Sequence, residues 1–128
     1  MFSYLLVAIG GAIGSALRYG TGVAVGRLWR DPFPLGTLLI NILGSCVMGL
    51  FIGYLARALP AWQNEARLFF AVGVLGGFTT FSSFSLDAIT MIERGDFLPA
   101  AAYVVVSVLG GLLALWLALL VMRQGIVS

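Results

Sequence analysis

Residues 76–84 read G-G-F-T-T-F-S-S-F, setting four hydroxyls and three phenyl rings behind a pair of glycines. Hydroxyls donate hydrogen bonds and the edges of phenyl rings are electropositive. A surface made of both can solvate an anion without a formal positive charge. Phe81 and Phe84 are three residues apart and share a helix face, while Thr80 with Ser83, and Ser82 with Ser85, take nearby angles. Two adjacent glycines followed by two β-branched threonines weaken a helix at this point. Broken backbone at membrane depth is tolerated only where protein or a cavity satisfies its polar groups. The plainer alternative is a glycine-kinked helix whose Thr and Ser hydroxyls bond back to their own carbonyls.

Matching polar groups lie elsewhere in the chain. Asn41, in T-L-L-I-N-I-L-G, carries a carboxamide with two N–H donors. Its ordinary role would be a helix-to-helix hydrogen bond, worth about 0.6 kcal/mol on average. Thr37 lies one turn before it, and Tyr103 and Ser107 lie one turn apart further on. Three segments thus each present a polar stripe with no ionised group at its midpoint. Arg18 either snorkels toward the interface or forms an electropositive vestibule that draws anions inward. Asp87, one turn after Ser83, is placed to neutralise an Arg.

The elements that position these groups follow from composition. The 128 residues are 61% hydrophobic and 9% charged, against roughly 25% charged in soluble domains. Such a chain cannot clothe a water-facing surface, so it is an integral membrane protein in direct contact with the lipid bilayer. Seven Arg, no Lys and no His leave a net charge of +2, too scattered for a nucleic-acid partner. Cys46 is alone and reads as a small packing residue.

A hydrocarbon core takes about 20 helical residues, and four segments have that length: about 2–28, 35–58, 67–92 and 98–122. Short connectors rich in Pro, Gly and charge separate them. The expected architecture is all-α, with a single four-helix transmembrane domain over residues 1–128 and the third helix broken at its centre. The first span lacks the Lys/Arg-rich start of a signal peptide and is expected to remain in the protein.

Trp29, Trp62 and Trp116 fall near span ends, where indoles favour the headgroup layer. Small-residue pairs four apart (Gly10 and Gly14, Gly22 and Gly26, Gly49 and Gly53, Gly73 and Gly77) allow helices to approach closely in lipid. Arg57, Arg67 and Arg123 share one side of the membrane and Arg27, Arg30 and Arg94 the other, three against three. Positive charge therefore gives almost no instruction about orientation. Opposite insertions of one chain could pair as an antiparallel homodimer.

The motifs resemble those of the Fluc (CrcB-type) family of small bacterial fluoride channels. G-G-A-I-G-S-A-L-R-Y resembles the family's opening glycine-rich segment, G-T-L-L-I-N-I-L-G its pore-asparagine motif, and G-G-F-T-T-F-S-S-F its third-span signature, usually written G-G-x-T-T-F-S-T-F. Length, span number and motif order agree over essentially the whole chain. The resemblance implies a dual-topology homodimer with two pores in the bacterial inner membrane, exporting fluoride passively. It implies a structural sodium ion, not transported, held by the backbone carbonyls of Gly76 and Thr79 of each subunit. It makes Phe81 and Phe84 the pore phenylalanines and Asn41 the pore amide. Tyr103, Ser107, Ser82 and Ser83 would line a polar track, with Arg18 at the vestibule. Ser83 stands where the family usually has Thr, and Asp87 where Glu is common.

Residue chemistry alone reaches a small-anion path through a tightly packed helical membrane protein. A compact anion loses tens of kcal/mol of hydration on entering a low-dielectric medium. Hydroxyl, amide and ring-edge donors can replace that water while still letting the ion leave. The main rival is a small proton-coupled multidrug antiporter, which needs a titratable acid deep in a span; only Asp87 qualifies, and Asp87→Asn would abolish antiport but spare a passive leak. A non-catalytic membrane assembly subunit would show no ion flux alone. An enzyme is disfavoured, because no His or metal-ligand cluster is present.

Overall fold

The computed structural model describes residues 1–124, so the last four residues of the expected 1–128 domain lie outside the described residues. All regular structure in it is helical. Four helices are long and apolar enough to cross a bilayer: α1 (Phe2–Leu28), α2 (Leu35–Ala58), α3 (Gln63–Glu93) and α4 (Phe97–Arg123). The third begins a turn earlier than the hydropathy suggests, because the amphipathic turn Gln63–Ala66 continues directly into the span.

The connectors close through local hydrogen bonds. Between α1 and α2, Trp29 Nε1 donates to the Phe33 carbonyl at 2.9 Å and Asp31 Oδ1 accepts from the Phe33 amide at 2.9 Å. α2 ends at Leu59, whose φ of 45° places a branched residue in the left-handed region, directly before Pro60. Between α3 and α4, Gly95 takes a φ of 87°, a conformation that favours glycine. Arg94 and Asp96 pair across it at 3.1 Å. At the other end of the bundle, Arg57 donates to the Met122 carbonyl at 2.9 Å, satisfying one of the orphan acceptors of α4. Trp116 sits two turns inside the end of α4.

In lipid the hydrophobic effect does not drive helices together, so close van der Waals packing must. α2 packs most extensively on α4, and α1 on the first half of α3. Glycines make the second contact possible. A methyl on Gly77 would stand 2.7 Å from the Gly11 carbonyl oxygen, and one on Gly14 2.8 Å from the Val74 carbonyl carbon and 2.9 Å from the Phe78 nitrogen. Gly10 and Gly73 meet in the same way, backbone on backbone. Gly49 and Gly53 seat Ala118 and Met122 of α4. Gly22 and Gly26 are less tightly placed: nothing lies within 4 Å of a methyl at either, although Gly36 of α2 passes Gly22, a methyl on Gly36 standing 3.9 Å from the Gly22 Cα.

α3 is two rods, as the sequence suggests, with two features of its own. Residues Arg67–Leu75 are wound as a π-helix, in which the Gly76 amide reaches back to the Ala71 carbonyl. Helical winding then continues through Gly76–Phe78, stops at Thr79 (φ −81°, ψ 158°) and Thr80 (φ −152°, ψ 115°), and resumes over Phe81–Glu93. The extended residues are the β-branched threonines, while the glycine pair remains helical. The second rod packs on α4 through a small core of Leu38, Ala88, Met91, Ala100 and Tyr103.

Candidate functional site

Breaking a helix strands the amides and carbonyls on either side of the gap, and side chains take them up here. Asn41 of α2 faces Thr80: its Oδ1 accepts from the Thr80 amide at 2.8 Å, and its Nδ2 donates to the Thr80 carbonyl at 3.1 Å. The carboxamide thus stands in for a neighbouring strand's peptide group. Thr80 also caps the second rod, its Oγ1 accepting from the Ser83 amide at 3.2 Å. Arg18 of α1, half-buried, donates from Nε to the Gly77 carbonyl at 3.1 Å.

These contacts change which carbonyls are free. In an unbroken rod the Thr80 amide would donate to Gly76, and the Ser83 amide to Thr79, four residues back in each case. Both amides are instead engaged by side chains. The carbonyls of Gly76 and Thr79 therefore lose their helical donors, and they are the two expected, from the resemblance alone, to hold a cation. Two hydroxyls do bond back along the helix as the plainer reading has it: Thr79 to the Leu75 carbonyl at 2.9 Å and Ser85 to the Phe81 carbonyl at 3.0 Å.

Two clefts, each of about 420 Å³, flank the break and share Thr80. The first gathers Asn41, Phe81, Phe84 and Ser107, and no ionisable side chain lines it. The Ser107 hydroxyl is buried on its wall and has no hydrogen-bond partner among the described residues. Phe81 and Phe84 lie 5.7 Å apart between ring centroids, and Phe84 lies 5.1 Å from Tyr103. Phe33 meets Tyr103 edge-on at 5.6 Å, completing a row of four rings. Phe81, at the end of the row, is 79% exposed on the single chain.

The second cleft brings Arg18 together with Thr37, Ser83 and Asp87. Asp87 accepts from the Tyr103 hydroxyl at 3.1 Å. The expected partnership with an Arg is replaced by this phenol, and Arg94–Asp96 is the one ion pair among the described residues. Ser82 is exposed, its hydroxyl 3.4 Å from that of Thr80. Tyr103 is fully buried behind Phe84. Of the expected track, the structure thus gathers Asn41, Phe81, Phe84 and Ser107 in one cleft, places Ser83 and Arg18 in the other, and leaves Ser82 and Tyr103 in neither.

Two further lining residues, Ser45 and Thr79, belong to the first cleft. Ser45 lies one turn beyond Asn41, opposite Gly111, where a methyl would come within 3.4 Å of its hydroxyl. Its position four residues after Asn41 on the same face was the available signal.

Comparison with known proteins adds independent information. A family model described as CrcB-like protein, Camphor Resistance (CrcB), matches residues 5–119. A protein of Mesorhizobium japonicum named fluoride-specific ion channel FluC is 51% identical over 124 residues, covering 97% of this chain and 98% of the relative. One of the same name from Hyphomonas neptunium is 50% identical over 124 residues, with the same two coverages. A third, from Agrobacterium fabrum, is 49% identical over 124 residues, again covering 97% of this chain and 98% of the relative.

Proposed function

The chain belongs to the CrcB-like family, and from that membership and the geometry of the break we propose that it is a fluoride channel, not an enzyme, of the bacterial inner membrane. It lets fluoride leave the cytoplasm passively and so confers fluoride resistance. The observation that carries the reading is the first cleft, where an amide, a buried hydroxyl without a partner and two phenyl rings converge with no ionised group among them. Neutral donors can replace the water of a small anion, and they hold it loosely enough for release. With a cell interior negative by about 100 mV, outward movement of one anion gains about 2.3 kcal/mol, so export needs no fuel.

In this reading the whole chain is one four-helix domain. Asn41, Phe81, Phe84 and Ser107 contact the ion directly, and Ser82, Ser83 and Tyr103 extend the track. Arg18, with two guanidinium nitrogens free of the Gly77 carbonyl, brings a positive charge to the second cleft, where the Asp87 carboxylate also lies. Two copies inserted in opposite directions form an antiparallel homodimer with two pores. Supporting this are the even split of arginines and the exposed ring of Phe81, which a second copy would cover.

The carbonyls of Gly76 and Thr79 suit a sodium ion, since they are neutral oxygen donors deprived of their helical hydrogen bonds. When bound, the ion supplies a fixed positive charge that gathers these carbonyls; it is structural and is not transported. Within the chain, Arg18 already occupies the Gly77 carbonyl, so that oxygen is not left for the ion.

The test is fluoride efflux from liposomes containing the purified chain, with chloride as the control. Fluoride should leave and chloride should not. Phe81→Ile and Asn41→Asp should each suppress the efflux. Unchanged rates in both variants would reject the pore assignment.

A further inference from the structure

The two carbonyls assigned to sodium are free only because two side chains hold their natural donors elsewhere. We infer that Asn41 and the Thr80 hydroxyl are positioning residues for the cation site. The inference rests on the sodium reading above but concerns residues that need not touch the ion. Asn41 grips both polar groups of Thr80, at 2.8 and 3.1 Å, and so keeps the Thr80 amide from returning to the Gly76 carbonyl. The Thr80 hydroxyl, at 3.2 Å from the Ser83 amide, does the same for the Thr79 carbonyl.

The competition is chemically direct. A peptide amide and a sodium ion seek the same carbonyl oxygen, and the amide four residues along the chain is always at hand. Without the carboxamide, the Thr80 amide is left unpartnered at membrane depth, a costly state that re-forming the helical bond to Gly76 relieves. An amide bond re-formed in this way competes with the cation by about tenfold in affinity. Asn41 suits the role because its carboxamide has the donor and acceptor arrangement of a peptide group, so one side chain satisfies both Thr80 groups at once.

Asn41 therefore has two tasks. One N–H of its amide is engaged by Thr80, which leaves the second N–H to donate elsewhere, and the residue also lines the first cleft. Ion path and cation site share a residue, and α2 is mechanically tied to the interrupted span.

The test reads sodium binding rather than flux. Thermal unfolding of the purified full chain is followed as sodium chloride replaces choline chloride at constant ionic strength. Wild type should be stabilised by sodium with a defined half-saturating concentration. Asn41→Ala should raise that concentration about tenfold, and Thr80→Val, which removes only the hydroxyl, should raise it in the same direction. Gly26→Ala, which adds a methyl on α1 where nothing lies within 4 Å, should leave it at the wild-type value. A wild type that gains nothing from sodium overturns the cation site and this inference together. A sodium-responsive wild type with an unchanged midpoint in either folded variant overturns the role of that side chain alone. If Asn41→Ala does not fold, Thr80→Val still tests the inference.

Discussion

The two halves of α3 meet the rest of the protein by opposite means. Between Arg67 and Phe78 the rod lies against α1 with almost no side chain between them, Gly73 on Gly10 and Gly77 on Gly11. From Thr79 onward the backbone is interrupted, and side chains from elsewhere (Asn41 above all) replace the hydrogen bonds it has lost. The first half is held by what is missing from its surface, the second by what is added to it. Close glycine packing makes a rigid, dry contact that needs no polar group. The polar clamp makes an interruption that a closed helix would never leave open. One span thereby supplies both an anchor and a site, and the anchor fixes where the site stands.

Substitutions can separate the two halves. The largest effect is expected at Gly14→Ala. Its methyl would fall against the Val74 carbonyl and the Phe78 amide, both backbone, which cannot turn aside. Overpacking of this kind should destabilise the protein by about 3 kcal/mol, measured by thermal or denaturant unfolding in detergent. If stability is untouched, the seam is not the anchor described. An intermediate effect of a different kind is expected at Ser107→Ala. Its hydroxyl has no partner among the described residues, so stability should hold or rise slightly, while fluoride efflux should fall about tenfold through loss of one hydrogen bond to a charged ion. The smallest is expected at Gly26→Ala, where a methyl meets nothing within 4 Å. Replacing a helical glycine there should stabilise by about 0.5–1 kcal/mol, with efflux unaltered.

How much of this was legible in the sequence varies with the range of the interaction. The four spans were, because apolar composition over twenty residues is a cumulative signal that nothing later overrides. The interruption was too, since adjacent glycines and β-branched threonines both weaken a helix. Which residues would leave the helix was not: Gly77 is packed against α1 within the helical stretch, and the extended conformation falls on Thr79 and Thr80 instead, which β-branched residues adopt readily.

Glycine spacing located the close contacts of α1 with α3 and of α2 with α4, but not how tight each would be: a methyl on Gly22 or Gly26 meets nothing within 4 Å, because spacing reports that a face is smooth and not how near its neighbour lies. Polar side chains were visible as stripes, but their partners were not. Asn41 meets Thr80 across 39 positions and Tyr103 meets Asp87 across 16, and no periodicity encodes such a pairing. The π-winding of Arg67–Leu75 left no mark either, being a response of the backbone to packing rather than a property of those side chains.

The grip of Arg57 on the end of α4 reaches beyond the fold itself. It ties down one cation at that face of the molecule, just as Asp96 ties down Arg94 at the opposite face. Among the described residues, Arg67 and Arg123 on one face and Arg27 and Arg30 on the other make no such contact, two facing two. The Arg57 and Arg94 contacts take one arginine from each rim, so folding leaves the split of positive charge as even as the sequence made it, which is what the proposed antiparallel pairing of two copies would need.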